Sequence, residues 1–282
     1  MNNISLSNTS MNSLRRDHFG RYVCCLFAQP SQREWLVQFF IWVEEMDEIK
    51  YKVSEPMLGH IRIQWWREAI DATYQGNSPD HPFLAMLAKQ KKIGTLPQAA
   101  FETFLSACEQ EMDGFVPDNL AELEQFIANK YSSILALAAA LLGNFEQSTQ
   151  QAIHHMALAY GHLDLLLKAP MMARKQCIML PRDLLTEAEI NADEAPLAEN
   201  KRIVKEITLF LINRAKAQLS QARSYRKYSD PAALPILFHG CLVDDSIRLM
   251  KKYGYSTYSI YPRSLGVFTY MKLYLNGLVK RY

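Results

Sequence analysis

The sequence predicts an all-α protein. Apolar residues recur every three or four positions through almost the whole chain, as they do on the buried face of an amphipathic helix. After the N-terminus the sequence has no alternation of β-branched and polar residues typical of strands, and no internal repeat. Glycine is sparse, at 11 of 282 residues, and no glycine-rich phosphate loop is present. We therefore expect a single helical bundle around a central cavity.

Composition narrows the class of protein and its compartment. The formal net charge is +2, which gives no general attraction for nucleic acid. The five cysteines show no Cys-x-x-Cys spacing, so we expect unpaired thiols in a reducing compartment. The longest apolar run, Ile134 to Leu142, is too short to span a membrane. These features predict a cytoplasmic protein, or one peripheral to the inner membrane, without a nucleic-acid partner.

The N-terminal sequence predicts a short disordered segment, or lead, that precedes a single domain. Residues 1–13 are rich in asparagine and serine and lack the apolar segment of a secretory signal. We expect a disordered lead over residues 1–14 and a single domain over residues 15–282.

Helical periodicity and helix-breaking residues divide that domain. They predict helices over about 17–28, 32–51, 54–70, 82–90, 96–112, 119–142, 146–168, 195–228, 231–253 and 268–275. The helix over 119–142 is apolar nearly all round and should be central. Pro170 cannot continue a helix and disfavours the α conformation at Ala169, so the preceding helix should end near Lys168. The basic, aromatic helix over 268–275 is predicted to close the bundle; the alternative is that it lies on an anionic membrane.

The second helix ends in an acidic stretch, Glu44-Glu45-Met46-Asp47-Glu48. Carboxylates so close together are candidates for holding a metal or for a catalytic role, whereas the plainer interpretation is a solvated helix end, which we favour. The full set of catalytic candidates is Glu44, Glu45, Asp47, Glu48 and Asp164. A metal held by His155, His162 and Asp164 is a weaker alternative, because their spacing supplies no third close ligand.

The helix that begins at Pro56 carries an apolar stripe of Leu58, Ile61, Trp65 and Ala69. We expect this stripe to pack on the bundle, with Arg62 beside the core and the adjacent Trp65 and Trp66 buried toward different neighbours.

Two segments carry a resemblance to a known family. The first reads Ser-Glu-Pro-x-x-Gly-x-Ile-Arg-x-Gln-Trp-Trp-Arg-x-x-Ile over residues 54–70. The second reads Gly-x-x-x-x-Leu-Leu-Lys over 161–168, followed by Leu-Pro-Arg-Asp-Leu-Leu over 180–185. Together they resemble a divergent branch of the squalene/phytoene synthase family that lacks the aspartate-rich motifs. The resemblance covers about residues 15–280 and implies an isoprenoid-synthase-like bundle.

The resemblance also implies which residues would do the chemistry. In active members two aspartate-rich motifs hold magnesium on a prenyl diphosphate. Here the acidic stretch over 44–48 replaces the first motif. In the second motif Lys168 and Met172 stand at the two aspartate positions, and Asp164 stands at the preceding asparagine. Lysine and methionine cannot replace oxygen ligands of magnesium. We therefore expect no cofactor, with magnesium required only if the protein is an enzyme.

The resemblance leaves two functions open. The first is a catalytically degenerate protein that binds a lipid, an isoprenoid or a partner and acts as an accessory or assembly factor. The resemblance suggests the respiratory complex I type, because the branch includes such a factor. The alternative is an active magnesium-dependent transferase that joins two prenyl diphosphates head to head. Partners under the first hypothesis are an isoprenoid or lipid ligand and a membrane protein complex or membrane surface.

The predicted ligand-binding residues combine aromatic and basic side chains. Basic residues at the mouth of the bundle could hold an anionic head group without metal, although a solvated basic loop would have the same sequence. The predicted set is Arg62, Trp65, Trp66, Tyr160, Lys168, Arg174, Lys175 and Arg182.

Overall fold

The computed structural model describes residues 12, 14–16, 18–90, 96–175, 177–197, 201–259, 271, 273–275 and 282. These residues are predominantly helical and contain no strand, so the predicted fold class is confirmed. Most of the predicted lead over 1–14 and half of the predicted helix over 268–275 lie outside the described residues.

Apart from a short helix at Arg182–Thr186, which the sequence does not predict, the helices follow one another in the predicted order. They are α1 Phe19–Cys25, α2 Pro30–Lys52, α3 Pro56–Tyr74, α4 Pro82–Lys89, α5 Gln98–Met112, α6 Leu120–Ile127, α7 Ser133–Leu142, α8 Gln147–Ala173, α9 Arg182–Thr186, α10 Lys201–Ser224, α11 Leu234–Leu237 and α12 His239–Lys252. A π-helical turn, Ala128–Ser132, joins α6 to α7, and 3-10 turns occur at Ala192–Glu194, Pro231–Ala233 and Thr257–Ser259.

The continuous helix Leu120–Leu142 lies in the centre of the bundle, as predicted. By length and composition it is the one helix among the described residues that could cross a membrane. However, 67% of its most apolar stretch is buried inside the bundle. A core helix of a folded domain has these properties, and α8 packs along its π-helical turn.

An aromatic cluster around Trp42 holds α2, α3, α4 and α5 together. The Trp42 ring stacks on Phe83, with centroids 4.7 Å apart and planes within 8° of parallel. Trp66, Phe101 and Phe104 meet the same indole edge-on. Edge-to-face and stacked pairs are favoured aromatic geometries, so this cluster fixes the orientation of α3 on the bundle.

That orientation contradicts the predicted burial of the α3 stripe. Leu58, Ile61 and Trp65 are 46%, 59% and 46% exposed, and only Ala69 is buried. The sequence holds a second set of residues at helical spacing, and this set faces the core: Gly59, Ile63, Trp66 and Ile70. Periodicity alone cannot choose between two apolar stripes on one helix.

The predicted end of the seventh helix near Lys168 is also wrong, since α8 continues through Pro170 to Ala173. Proline leaves the carbonyl four residues earlier without its helical donor, and here that carbonyl belongs to Leu166. The buried hydroxyl of Thr257 donates a hydrogen bond to the Leu166 carbonyl. A side chain from a later turn therefore replaces the missing N–H, and the helix can continue.

We expect Thr257→Val to lower the free energy of unfolding by about 1–3 kcal/mol, because a buried carbonyl loses its donor. Adding Pro170→Ala should recover most of this loss, since an N–H returns at position 170. Urea denaturation of the two single variants and the double variant measures the coupling. Thr103→Val, an exposed hydroxyl bonded to the Ala99 carbonyl, is the control. The explanation fails if Thr257→Val costs no more than this control.

Candidate functional site

Eight charged side chains meet in the interior of the bundle. They come from α1, α2, α5, α8 and the π-helical turn, and we call them the central charge cluster: Arg21, Glu44, Asp47, Lys50, Glu111, Lys130, Asp164 and Lys168. Six of the eight are buried, and Asp164 and Lys168 have side chains 14% and 20% exposed. Four formal positive and four formal negative charges make the cluster neutral.

Lys168 bridges two carboxylates from different helices. Its Nζ lies 2.9 Å from Oδ2 of Asp47 and 2.8 Å from Oδ2 of Asp164. Asp164 precedes Lys168 by one turn of α8, while Asp47 comes from α2. Burial alone would lower the pKa of Lys168, but Asp164 and Asp47 reverse this and raise it well above its ordinary value. The ammonium is therefore charged at neutral pH and occupies the space between the two carboxylates.

Lys130 makes a second bridge deeper in the cluster. Its Nζ lies 2.7 Å from Oδ1 of Asp47 and 2.7 Å from Oε2 of Glu111. The ammonium of Lys50 bonds the same Glu111 oxygen. Burial alone would raise the pKa of Asp47, but Lys130, Lys168 and Lys50 hold it well below its usual range. Both oxygens of Asp47 thus face a lysine ammonium.

The π-helical turn explains how Lys130 and its neighbour Tyr131 both point inward, each 1% exposed. Such turns often occur at functional sites. The Tyr131 hydroxyl donates to Oδ2 of Asp164 at 2.8 Å. Close approach of α8 depends on Gly161, where an added Cβ would lie 2.7 Å from a Tyr131 ring carbon. The first residue of the second family-like segment is therefore a packing requirement of the site.

Arg21 completes the cluster from α1. Its guanidinium bonds Glu44 and lies over the rings of Phe40 and Tyr160, at 5.6 and 5.3 Å from their centroids. His18 reaches the other oxygen of Glu44 at 3.1 Å. Burial alone would lower the pKa of Arg21, but its neighbours raise it above its ordinary value.

The structure separates the five carboxylates that the sequence nominated. Glu44, Asp47 and Asp164 lie in the central charge cluster. The side chains of Glu45 and Glu48 are 45% and 44% exposed and pair at the surface with His81 and Lys52 respectively. In the acidic stretch over 44–48, Glu44 and Asp47 are therefore buried, whereas Glu45 and Glu48 are in contact with solvent.

The predicted ligand-binding residues also lie in different places. Lys168 is inside the cluster, and Tyr160 borders it with its hydroxyl 3.4 Å from Oδ1 of Asp164. Trp66 belongs to the aromatic core, whereas Arg62 and Trp65 are exposed on α3. Arg182 is exposed, with Nε 3.4 Å from Asp118. The remaining two, Arg174 and Lys175, line a cavity of about 450 Å³ at the mouth of the bundle.

Sequence reasoning did not nominate Arg21, Lys50, Glu111 or Lys130 as site residues. A signal existed for Lys130, because a lysine inside a helix that is apolar on nearly every face must be paired once buried. The partners could not be identified, since they come from segments 83 and 19 residues away. Their juxtaposition is a property of the fold.

The donor set does not fit magnesium. Mg²⁺ needs near-octahedral oxygen ligation, but both Asp47 oxygens and Oδ2 of Asp164 lie within 2.9 Å of a lysine ammonium. A dication placed there would be repelled by Lys130 and Lys168. His155 and His162 bond instead to Gln218 and to the Leu158 carbonyl, each at 2.8 Å. Within the described part of the chain, no group of three or more His, Cys, Asp and Glu side chains is arranged to hold a metal.

Proteins similar to this chain include both assembly factors and a synthase. Complex I assembly factor 6 of NADH dehydrogenase (ubiquinone) is 23% identical in Bos taurus and 22% in Homo sapiens, over 95% of this chain and 81% of each relative. Presqualene diphosphate synthase of Rhodopseudomonas palustris is 24% identical over 71% of this chain and 72% of that protein.

Solved structures show the same fold at low sequence identity. A squalene synthase from Alicyclobacillus acidocaldarius superposes with a TM-score of 0.74 at 14% identity, over 89% of this chain and 94% of that chain. A dehydrosqualene synthase in complex with ligand gives 0.73 at 10% identity, over 97% of this chain and 95% of that chain. The family model described as squalene/phytoene synthase matches residues 14–266. The chain therefore belongs to the squalene/phytoene synthase family.

Proposed function

We propose that this protein is a catalytically degenerate member of its family that acts as an accessory or assembly factor for a membrane complex of the respiratory complex I type. It binds a lipid, an isoprenoid or a partner protein without turning over a prenyl diphosphate. The observation that carries the proposal is the position of Lys168, whose ammonium lies between Asp47 and Asp164.

The electrostatics of the central charge cluster oppose the family reaction. Ionising a prenyl diphosphate requires positive charge to stabilise the leaving group. In this protein the four cations are already neutralised by four carboxylates of the fold. Binding a magnesium diphosphate would require Asp47 and Asp164 to leave Lys130 and Lys168, which would place charges in the interior without partners. The loss of a single oxyanion donor already costs an enzyme about 3 kcal/mol.

The relatives support the assembly role. Those named complex I assembly factor 6 in Bos taurus and Homo sapiens align with 95% of this chain. An assembly factor needs surfaces that recognise a complex and a fold that stays intact, and it needs no metal. The setting we propose is cytoplasmic or peripheral to the membrane that holds the complex.

The alternative is an active magnesium-dependent transferase that joins two prenyl diphosphates. Its support is the similarity to presqualene diphosphate synthase and the shared synthase fold. The lysine-filled centre argues against it, because a shared fold does not imply a shared reaction.

We expect the purified protein to release no diphosphate from farnesyl or geranylgeranyl diphosphate, with or without magnesium. An active synthase assayed in parallel is the positive control, and the Asp47→Asn variant tests whether any signal comes from this site. Magnesium-dependent release by the wild-type protein that disappears in Asp47→Asn would establish the transferase and refute the proposal.

The assembly role is tested in a strain that lacks the protein. Its membranes should lose NADH-dependent quinone reduction and fully assembled complex I, while succinate oxidation by the same membranes is unchanged. Expression of the wild-type protein should restore both. Normal levels of assembled complex I in the deletion strain would contradict the assembly role.

A further inference from the structure

Positive charge is concentrated in one segment of the chain. Residues 201–252 contain eleven lysines and arginines and four carboxylates, whereas the rest of the sequence contains twenty and twenty-five. Two of the four carboxylates, Asp244 and Asp245, already pair with arginines of the same segment. A strongly basic region on a protein whose remainder is acidic attracts an acidic partner and repels a basic one.

The helices of this segment arrange their cations along one line. On α10 the intervals between successive members are three, eleven and seven residues, which are close to whole numbers of helical turns, so these side chains share one side of the helix. The four are Arg202, Lys205, Lys216 and Arg223. On the neighbouring helix α12, Lys251 follows Arg248 by one turn.

A groove of about 540 Å³ lies between α10 and α12 on this side. Its floor is apolar, because it is lined by the buried Leu219 and the partly buried Ile247. Arg223 spans the groove and donates two hydrogen bonds to Asp244, at 2.9 and 3.3 Å. A bidentate pair of this kind fixes the geometry of the two helices, so the groove is formed before any partner binds.

The other cations along the groove have donors that the fold does not use. Among the described residues, Nζ of Lys216 makes only a bond of 3.5 Å to Oδ1 of Asn213. Arg248 pairs with Asp245, but its side chain is 58% exposed and its guanidinium has five N–H groups. Three further cations are exposed and have no carboxylate partner in the described part of the chain: Arg202, Lys205 and Lys251.

We propose that this groove docks an acidic segment of a protein partner. An aliphatic side chain of the segment covers Leu219 and Ile247, and carboxylates on either side of it bind Lys216 and Lys251. The inference rests on the proposed assembly role, and it adds the surface and the chemistry by which the partner is recognised. An acidic helix presents carboxylates and aliphatic side chains one turn apart, which is the arrangement that the groove complements.

The shape and lining of the groove favour a polypeptide over other polyanions. A bilayer surface is broader than the space between two packed helices, so it would meet the outer cations and leave the apolar floor uncovered. A nucleic acid backbone has no aliphatic group for Leu219 and Ile247. In addition, α12 presents no exposed aromatic side chain on which a base could stack.

Fluorescence anisotropy with a synthetic peptide tests the groove directly. The probe is a fluorescein-labelled peptide of about 15 residues, made of glutamate with leucine at every third or fourth position. We expect saturable binding that weakens by about tenfold between about 0.05 and 0.5 M salt, because ion pairs at the surface are screened. A peptide with serine in place of each leucine should bind about tenfold more weakly, since it cannot cover the floor.

Two exposed cations can be reversed without leaving a carboxylate of the fold unpaired. Lys216→Glu with Lys251→Glu should weaken binding of the acidic peptide by about tenfold or more. The matched control, Lys52→Glu with Lys89→Glu, makes the same change in net charge at exposed residues outside the groove. It should bind the peptide within about twofold of the wild-type protein. Equal losses in the two double variants would show that net charge, and not the groove, binds the peptide.

Parallel titrations distinguish the other polyanions. A single-stranded oligonucleotide and phosphatidylglycerol vesicles are tested with the same four proteins' worth of variants and salt series. The inference is wrong if either of them binds through Lys216 and Lys251 while the acidic peptide does not bind. It is also wrong if the peptide without leucine binds as tightly as the peptide with leucine.

Complementation separates this inference from the assembly role. In the strain that lacks the protein, Lys216→Glu with Lys251→Glu should restore much less assembled complex I than the wild-type protein at equal protein levels, and the control variant should restore it fully. Full restoration by the groove variant would refute the docking inference and leave the assembly role standing. Normal complex I without the protein would refute the assembly role, and the peptide titration would still decide whether the groove binds.

Discussion

Lys130→Met should lower the free energy of unfolding by about 3–5 kcal/mol, because it removes one member of a buried ionic network and leaves the others charged. Lys130 is 1% exposed and lies 2.7 Å from both Asp47 and Glu111. Methionine preserves most of the side-chain length and its apolar stem, so the loss reports on the ammonium. Asp47 would keep one lysine partner, Lys168, and Glu111 would keep Lys50.

Urea denaturation at neutral pH measures this loss, and the structure supplies a matched control. Lys52→Met removes an ammonium from an exposed pair with Glu48 on α2, and pairs of this kind contribute about 0.3–0.5 kcal/mol. Adding Asp47→Asn to Lys130→Met should recover part of the stability, because the carboxylate left behind is neutralised. A loss in Lys130→Met no larger than in Lys52→Met would show that water, and not Lys130, satisfies the cluster.

The charged centre limits which substitutions the fold tolerates. A buried ionic network adds little net stability compared with an apolar core of the same shape, but removing one member is costly. The centre of this bundle therefore resists stepwise substitution. The same geometry that would gather carboxylates around magnesium gathers them around Lys130 and Lys168.

The fold was predictable because its signals are local. Helical periodicity and the prolines at positions 30, 56 and 82 locate helix starts, and the two family-like segments identify the architecture. The failures occur where the outcome depends on distant parts of the chain. The sequence of α8 contains Pro170, which predicts a helix end, but nothing nearby reveals that Thr257 supplies the missing donor. Likewise, α3 carries two apolar stripes, and the packing of Trp66 in the Trp42 cluster determines which of them is buried.

The candidate site was predictable only in part for the same reason. Asp47, Asp164 and Lys168 could be nominated because the family frame marks their positions. Arg21 and Glu111 carry no such mark, and the sequence around Lys130 indicates only that this lysine must be paired, because the partners come from other elements of the fold. A buried lysine is informative only when its carboxylates are known, and those lie far away in sequence.

Acidification below pH 6.5 should destabilise the protein, because His239 is fully buried as a neutral ring. It lies between Phe40 and Tyr160, and its Nδ1 is 2.8 Å from the Ile236 carbonyl. Burial first, and then the positive charge of Arg21, lower the pKa of His239 from 6.5 to about 3, although the Ile236 carbonyl and Asp164 act in the opposite direction. Burial also lowers the pKa of His162 and His154.

Whether stability rises or falls with pH follows from which state, folded or unfolded, binds the proton. Above pH 6.5 His239 is neutral in both states, and its contribution to stability is fully present. Between pH 6.5 and about 3 the unfolded chain binds a proton that the folded protein excludes, so stability falls by about 1.4 kcal/mol per pH unit. The lowered pKa of Asp47 and Asp164 adds a further loss only below their ordinary value of 3.8.

Urea denaturation from about pH 8 to about pH 4.5 isolates the histidine contribution. His239→Gln should be less stable than the wild-type protein at pH 8, because a shaped buried group is replaced, but its stability should fall less steeply below pH 6.5. Phe83→Leu, a packing change in the Trp42 cluster that removes no titratable group, is the control and should keep the wild-type slope below pH 6.5. If His239→Gln keeps the wild-type slope, the proton excluded on folding belongs to His162 or His154. If the stability of both the wild-type protein and His239→Gln is independent of pH below 6.5, the interior around Arg21 admits enough water to protonate His239 in the folded state. The centre of the bundle is then more open than a packed charge cluster allows.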